Sequence, residues 1–214
     1  MPSAGGAVEH EQEHRSMSAT RLLIGLGNPG PEYASTRHNI GQMVLDAIAA
    51  QTGSAFKAAR RGKAQVIEGY LGAPGKGVRT ILARTTCYMN ESGGPTRALA
   101  DFYSIAPEDV VVVHDDVDLP FDAIRLKRGG GEGGHNGLRD VTKALGTKDY
   151  LRVRVGVGRP TGRGDTADHV LSSFSATERK VLPILVEDAA EAAEMLILEG
   201  LEAAQQRFHG REVR

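Results

Sequence analysis

Four short segments place His, Asn and Asp where an apolar core has no use for them. They are Asn28 with His38 and Asn39, Tyr88-Met89-Asn90, His114-Asp115-Asp116, and Gly133-Gly134-His135-Asn136-Gly137. Together these residue types suit hydrolysis by an activated water. A histidine is a general base near neutral pH, and a carboxylate beside it fixes its tautomer and raises its basicity. Asparagine amides can donate to a developing oxyanion. Each segment also has a plainer use. Asn90 would serve as a helix N-cap, and Asp115 and Asp116 as turn formers ahead of Pro120. His135 and Asn136 suit a left-handed turn among glycines, and His38 alone in a polar loop reads as solvated. What favours one shared site is their joint occurrence, at least three of them at predicted strand ends. In an open α/β sheet, ligands bind beyond the carboxyl ends of strands. No serine sits in a G-x-S-x-G elbow. Cys87 has no neighbour that would lower its pKa and make it a nucleophile.

The elements that must carry these residues follow from periodicity. Arg21 to Leu26 reads as a strand. It runs into Gly25-Leu26-Gly27-Asn28-Pro29-Gly30, which has dinucleotide-fingerprint spacing. Pro29 and Pro31 remove N–H donors there and disfavour helix before them, so no helix N-terminus opens to hold a pyrophosphate. A polar loop, Glu32 to Asn39, follows instead. Ile40, Met43, Val44, Ala47 and Ile48 recur at helical spacing, predicting a helix over 40–51 that stops near Gly53. Ala64 to Tyr70 and Val78 to Ala83 are strands around a Gly/Pro-rich turn. A helix begins near Asn90 and closes at Leu99, Phe102 and Tyr103. Val110 to Val113 is a strand buried on both faces, with His114-Asp115-Asp116 just after it. Ala123 to Lys127 reads as a strand, then a glycine loop through Gly134, then a helix over 138–145. Leu151 to Val157 alternates, Arg152 and Arg154 sharing one face. Ser175-Ala176-Thr177-Glu178 is a capping box opening a long helix, with Pro183 a potential kink. This pattern predicts an α/β fold: a single domain with a mixed, largely parallel sheet and helices on both faces.

The chain has 214 residues, 40% of them hydrophobic, enough for one well-packed domain. Residues 1–19 lack periodicity and read as a disordered tail, in which His10 and His14 are solvated and Met17 is a possible alternative start. Residues 20–214 read as the single domain. No apolar run approaches the roughly 18 residues of a membrane span, and no secretory signal is evident. The single Cys87 leaves no internal disulfide or structural zinc cluster. A cytoplasmic monomer is the default expectation. Net charge is −1, yet basic residues group at Arg60, Arg61 and Lys63, at Arg125, Lys127 and Arg128, and at Arg152 and Arg154. A near-neutral protein can still present one basic face.

In order and spacing the motifs resemble those of bacterial-type peptidyl-tRNA hydrolases, over residues 21 to 205. The resemblance rests on Leu23-Ile24-Gly25-Leu26-Gly27-Asn28-Pro29-Gly30 with Tyr33, Arg37-His38-Asn39 and Gly41. It continues through Tyr88-Met89-Asn90 with Ser92-Gly93, and His114-Asp115-Asp116 with Asp118-Leu119-Pro120. The loop Gly129 to Gly137 and Arg154-Val155-Gly156-Val157-Gly158-Arg159-Pro160 complete it. A proline that the family often carries ahead of its aromatic-Met-Asn is absent from Arg84-Thr85-Thr86-Cys87-Tyr88.

The resemblance implies a cofactor-free, metal-free carboxylic ester hydrolase that cleaves the bond between a peptide and the 3′-terminal ribose of tRNA and so recycles tRNA for translation. His38 would be the general base and Asp115 would orient it. Asn28, Asn90 and Asn136 would position the peptide and ester carbonyl. Met89 and Tyr33 would shape the peptide pocket, with Tyr88 and His135 among the substrate contacts. Lys127 and Arg154 would meet tRNA phosphates, assisted by Arg125 and Arg128. Phosphate contacts supply affinity without reading sequence, which suits an enzyme that accepts many tRNAs.

Three other readings compete. A metal-dependent hydrolase would use His38, His114, Asp115, Asp116 or His135, but no tight ligand spacing such as H-E-x-x-H is present. A non-catalytic RNA-binding module would leave His38 and Asp115 idle. A dinucleotide oxidoreductase fails on Pro29 and Pro31 and lacks the acidic residue ending a second strand.

Overall fold

The computed structural model describes residues 19–210; the tail reading of residues 1–18 lies outside them. The seven strands are β1 (Arg21–Gly25), β2 (Lys57–Ala58), β3 (Ala64–Leu71), β4 (Val78–Thr85), β5 (Val110–Asp116), β6 (Ile124–Arg128) and β7 (Leu151–Gly156). They form one sheet in the order β2-β3-β4-β1-β5-β7-β6. The centre, β4-β1-β5-β7, is parallel, while β2-β3, β3-β4 and β7-β6 pair antiparallel. The sheet is therefore mixed, with its parallel part in the middle, where both faces need cover.

The described residues form six helices: α1 (Ile40–Thr52), α2 (Gly93–Phe102), α3 (Asn136–Leu145), α4 (Thr166–Val170), α5 (Ala176–Leu198) and α6 (Leu201–Phe208). On one face Leu23, Val111, Val113, Val153 and Val155 pack with Val44 and Ile48 of α1 and Leu185 and Ala189 of α5. On the other, Leu22, Ile24, Val110 and Val112 pack with Leu99 of α2 and Leu138 and Val141 of α3. The valine strand is fully buried, as its composition predicts.

Local chemistry explains the element ends. Gly53, with φ 65°, ends α1, its N–H donating to Ala49 O and Ala50 O of the last turn. Ser175 and Glu178 form the reciprocal capping box of α5, and α5 runs on through Pro183 without interruption. Gly41 is where α1 meets the sheet: a Cβ there would stand 2.3 Å from Val113 O. Only glycine lets the helix come this close, and that approach sets the depth of His38 three residues earlier.

Several boundaries differ from the sequence reading. His114, Asp115 and Asp116 are the end of β5, not the turn after it, because they stay in register with Arg154, Val155 and Gly156 of β7. Asn90 is not the cap of α2; it lies in a short 3-10 turn, Met89–Glu91, and Ser92 holds the cap position. The helix placed at 138–145 starts at Asn136, because the His135 side chain accepts from Leu138 N and opens it earlier. Strand β2 and helices α4 and α6 escaped the periodicity argument. They span two, five and eight residues, too short to repeat a pattern.

Candidate active site

His38 sits in a 3-10 turn, Arg37–Asn39, immediately before α1. Its neighbours hold that turn firmly. Asn28 N donates to Asn39 Oδ1 and Asn39 Nδ2 donates to Asn28 O, both at 2.9 Å. Arg37, buried, donates to Ser172 Oγ, to Ser173 O at 2.8 Å and to Glu178 Oε2 at 2.6 Å. The His38 turn is thus tied to the β1 loop on one side and to the start of α5 on the other.

Asp115 is 2% exposed and receives two imidazoles. His38 Nδ1 lies 2.9 Å from Oδ1 and 3.0 Å from Oδ2, and His135 Nε2 lies 2.9 Å from Oδ1. Burial alone would raise the Asp115 pKa. His135, then His38, outweigh that and hold the carboxyl well below the usual carboxylate range. An ionised carboxylate only accepts, so both histidines donate to it. For His38 this puts the proton on Nδ1 and leaves the Nε2 lone pair as the basic atom. For His135 the far nitrogen is also fixed, since Nδ1 accepts from Leu138 N at 3.2 Å. His114 Nδ1 meets Asp115 O at 2.6 Å, and its ring stands edge-on to His135. Burial first, then the neighbouring His135, push the His114 pKa well below its ordinary value.

His38, Asp115 and His135 bring ligand atoms within 4.8 Å of one another, the spacing of a metal site. The donor set does not suit one. To ligate through Nε2, a neutral His135 would carry its proton on Nδ1, facing the Leu138 N–H that now donates to it. The arrangement is a carboxylate with two N–H donors.

These groups line a cavity of about 640 Å³, within the usual range for small-ligand sites. The sequence-predicted Asn28, His38, Met89, Asn90, Asp115, His135 and Asn136 all line it. Asn28 Oδ1 accepts from Met89 N at 2.7 Å, so its free polar group is the Nδ2 donor. The Asn136 Oδ1 is likewise engaged, by Arg139. The stretch that lacks the family's proline is tied down by other bonds: Thr85 Oγ1 donates to Gly27 O at 3.2 Å and Thr86 N donates to Lys63 O at 2.9 Å. Tyr33 and Tyr88 stand in edge contact, 6.5 Å between centroids, beside but outside the lining. Cys87 is buried, and burial followed by the charge of Glu91 raises its pKa, so it stays a thiol.

The basic residues divide. Arg125 faces Arg154 and Lys127 faces Arg152 across β6 and β7, so these four share one face of the sheet edge. Arg154 pairs with Asp116 at 2.8 Å. Burial, then Arg154 and Arg152, lower the Lys127 pKa. Arg128 is not brought together with them. Alternation turns it to the other face, where it pairs with Asp149 at 3.3 Å and borders a separate groove with Arg21. Arg152 is no surface cation; it is 1% exposed. Sequence reasoning missed Arg159, which lines the cavity and holds Asp118. It also missed Ala167, Val170 and Leu171 around α4, which form a cavity wall; the one available signal was Asp165, the α4 N-cap.

The sequence profile of the peptidyl-tRNA hydrolase family matches residues 22–214. The chain belongs to the peptidyl-tRNA hydrolase family. It is 60% identical over 193 residues to the peptidyl-tRNA hydrolase of Pseudarthrobacter chlorophenolicus, covering 90% of this chain and 97% of that protein. It is 54% identical over 193 residues to the Mycolicibacterium smegmatis peptidyl-tRNA hydrolase, covering 90% and 99%. Among solved structures, the Acinetobacter baumannii peptidyl-tRNA hydrolase superposes with a TM-score of 0.79 at 33% identity, covering 92% of this chain and 97% of that one. The family resemblance read from the motifs therefore holds across the whole described fold.

Proposed function

We propose that this chain hydrolyses the ester between a peptide and the 3′-terminal ribose of tRNA, with His38 as base. The observation that carries the reading is the Asp115 carboxylate, buried at the cavity and accepting from both His38 and His135. With Nδ1 of His38 held by Asp115, Nε2 takes a proton from water as the water oxygen attacks the ester carbonyl. The carbonyl electrons become an oxyanion, which the amides of Asn28, Asn90 and Asn136 are placed to orient and stabilise. The tetrahedral intermediate then expels the ribose 3′-oxygen, which recovers the proton from His38. The products are a peptide acid and tRNA with a free 3′-hydroxyl.

Met89 walls the peptide side of the cavity, and the Tyr33–Tyr88 pair beside it extends that wall. The Arg125, Lys127 and Arg154 face takes phosphates of the tRNA acceptor end. In this reading residues 20–214 act as one domain, as a monomer, without metal, where translation supplies the substrate. No helix among the described residues is long and apolar enough to cross a membrane.

The deciding measurement is release of tRNA from an N-blocked aminoacyl-tRNA in chelator, wild type beside His38→Ala. Wild type should cleave, and the variant should lose at least about three orders of magnitude in kcat with unchanged tRNA affinity. Loss of activity in chelator would revive a metal mechanism. Cleavage by both proteins would displace His38 as base, and cleavage by neither would leave an RNA-binding module.

A further inference from the structure

The loop from Gly129 to Gly134 carries His135 and Asn136 into the cavity, yet it is almost all glycine. Gly130 and Gly134 have φ of 88° and 79°, a region open to glycine and costly to other residues. Such a segment loses more conformational entropy on ordering than any other. Something outside the loop must hold it.

Arg152 does so. Its side chain is among the largest fully buried in the protein, at 1% exposure. Nη1 donates to Gly131 O at 2.7 Å and Nη2 to Gly130 O at 3.0 Å. The guanidinium stacks over Tyr150, 4.7 Å from its centroid, and Nε has no partner. Among the described residues no carboxylate pairs with it. Burying a cation on carbonyls and an aromatic face is expensive, and a phosphate contact would not need it buried. The rigid planar fork of an arginine presents two N–H donors to two successive carbonyls in fixed geometry, whereas a lysine's donors radiate from one flexible nitrogen. From that clamp the loop turns at Glu132, whose carbonyl accepts from His135 N at 2.9 Å, and His135 Nε2 reaches Asp115.

We infer that Arg152 is a positioning residue for catalysis: by clamping Gly130 and Gly131 it fixes where His135 meets Asp115, and through Asp115 the aim of His38. This deepens the esterase reading and rests on it. It also separates Arg152 from Arg154, its neighbour on the same strand face, which takes substrate phosphate.

The test uses the full chain with Arg152→Met and Arg152→Lys. Three quantities are measured: kcat and KM on N-blocked aminoacyl-tRNA, the salt dependence of tRNA binding, and the imidazole nitrogen resonances of labelled His135. Arg152→Met should lower kcat about 10- to 100-fold, keep the salt slope of wild type, and broaden or shift the His135 Nε2–H signal. Arg152→Lys should recover part of kcat, because the ammonium can still meet the loop carbonyls but without the fork's fixed geometry. A salt slope reduced by about one contact with kcat intact would make Arg152 a phosphate ligand and overturn the inference. An unchanged His135 spectrum with unchanged kcat would overturn it too. If Arg152→Met does not fold, Arg152→Lys decides: wild-type kcat and His135 signal would refute the two-carbonyl clamp, and a loss in both would support it. If wild type itself cleaves no ester, the esterase reading fails, and the His135 spectra alone still report whether Arg152 places that ring.

Discussion

Two charged regions of this molecule lie side by side on the sheet and use charge in opposite ways. At the Asp115 knot the carboxylate is buried and every polar contact around it is specified, from His38 Nδ1 to the Leu138 N–H behind His135. At the β6–β7 edge Arg125, Lys127 and Arg154 share one face of the sheet, and Arg154 is held by a single partner, Asp116. Low dielectric makes the first region strong but geometrically unforgiving. Solvent makes the second weak per contact, tolerant of geometry and sensitive to salt. In the proposed reaction, orienting a base needs the former, and gripping many different tRNAs needs the latter. Arg152 lies on the strand of the second region and belongs functionally to the first.

The largest expected effect breaks the knot. Asp115→Asn keeps the shape but removes the negative charge and replaces the Oδ2 acceptor, 3.0 Å from His38 Nδ1, with an N–H donor, so His38 loses the hold on its tautomer. We expect kcat to fall on the order of 10³-fold with tRNA Kd unchanged, measured by single-turnover cleavage and filter binding. A matching loss of affinity would mean that the two regions are not separable. Next come Lys127→Ala and Arg154→Ala. Each should raise KM several-fold, leave kcat near wild type and reduce the slope of log K against log salt by roughly 0.7 to 0.9. If neither changes the slope, the phosphate path lies elsewhere.

The smallest effect concerns stability. His114 is kept neutral in the folded state by burial, whereas the unfolded histidine takes a proton below about pH 6.5. The unfolded state therefore binds more protons as pH falls, and stability drops below that pH by up to about 1.4 kcal/mol per unit. Asp115, depressed instead, contributes stability that is full above the unfolded carboxylate's pKa of about 3.9 and is lost as pH falls from there towards its own lowered value. His114→Phe should flatten the decline in denaturation midpoint between pH 6.5 and 5. A slope equal to wild type would show that His114 titrates alike in both states.

What the sequence by itself determined is whatever a few neighbouring residues can settle. Ser175 and Glu178 cap one helix turn, Gly53 supplies the left-handed residue that ends α1, and four successive valines mark a strand with two covered faces. The residue types of the site were legible for the same reason: His38, Asp115 and the three asparagines are polar groups at a strand end and in the loops and turns between elements, where a core has no place for them. Only the tertiary structure decided how those groups meet. His38 and Asp115 are 77 residues apart, and no periodicity says which nitrogen of either imidazole carries the proton; Leu138 N and the buried carboxylate do. Strand alternation put Arg152 and Arg154 on one face, but it could not say which of them would be buried. That depended on the glycine loop folding back over Arg152 and leaving Arg154 partly in solvent. Burial is a property of what packs against a residue, and the segment packed against Arg152 comes from 21 residues earlier in the chain.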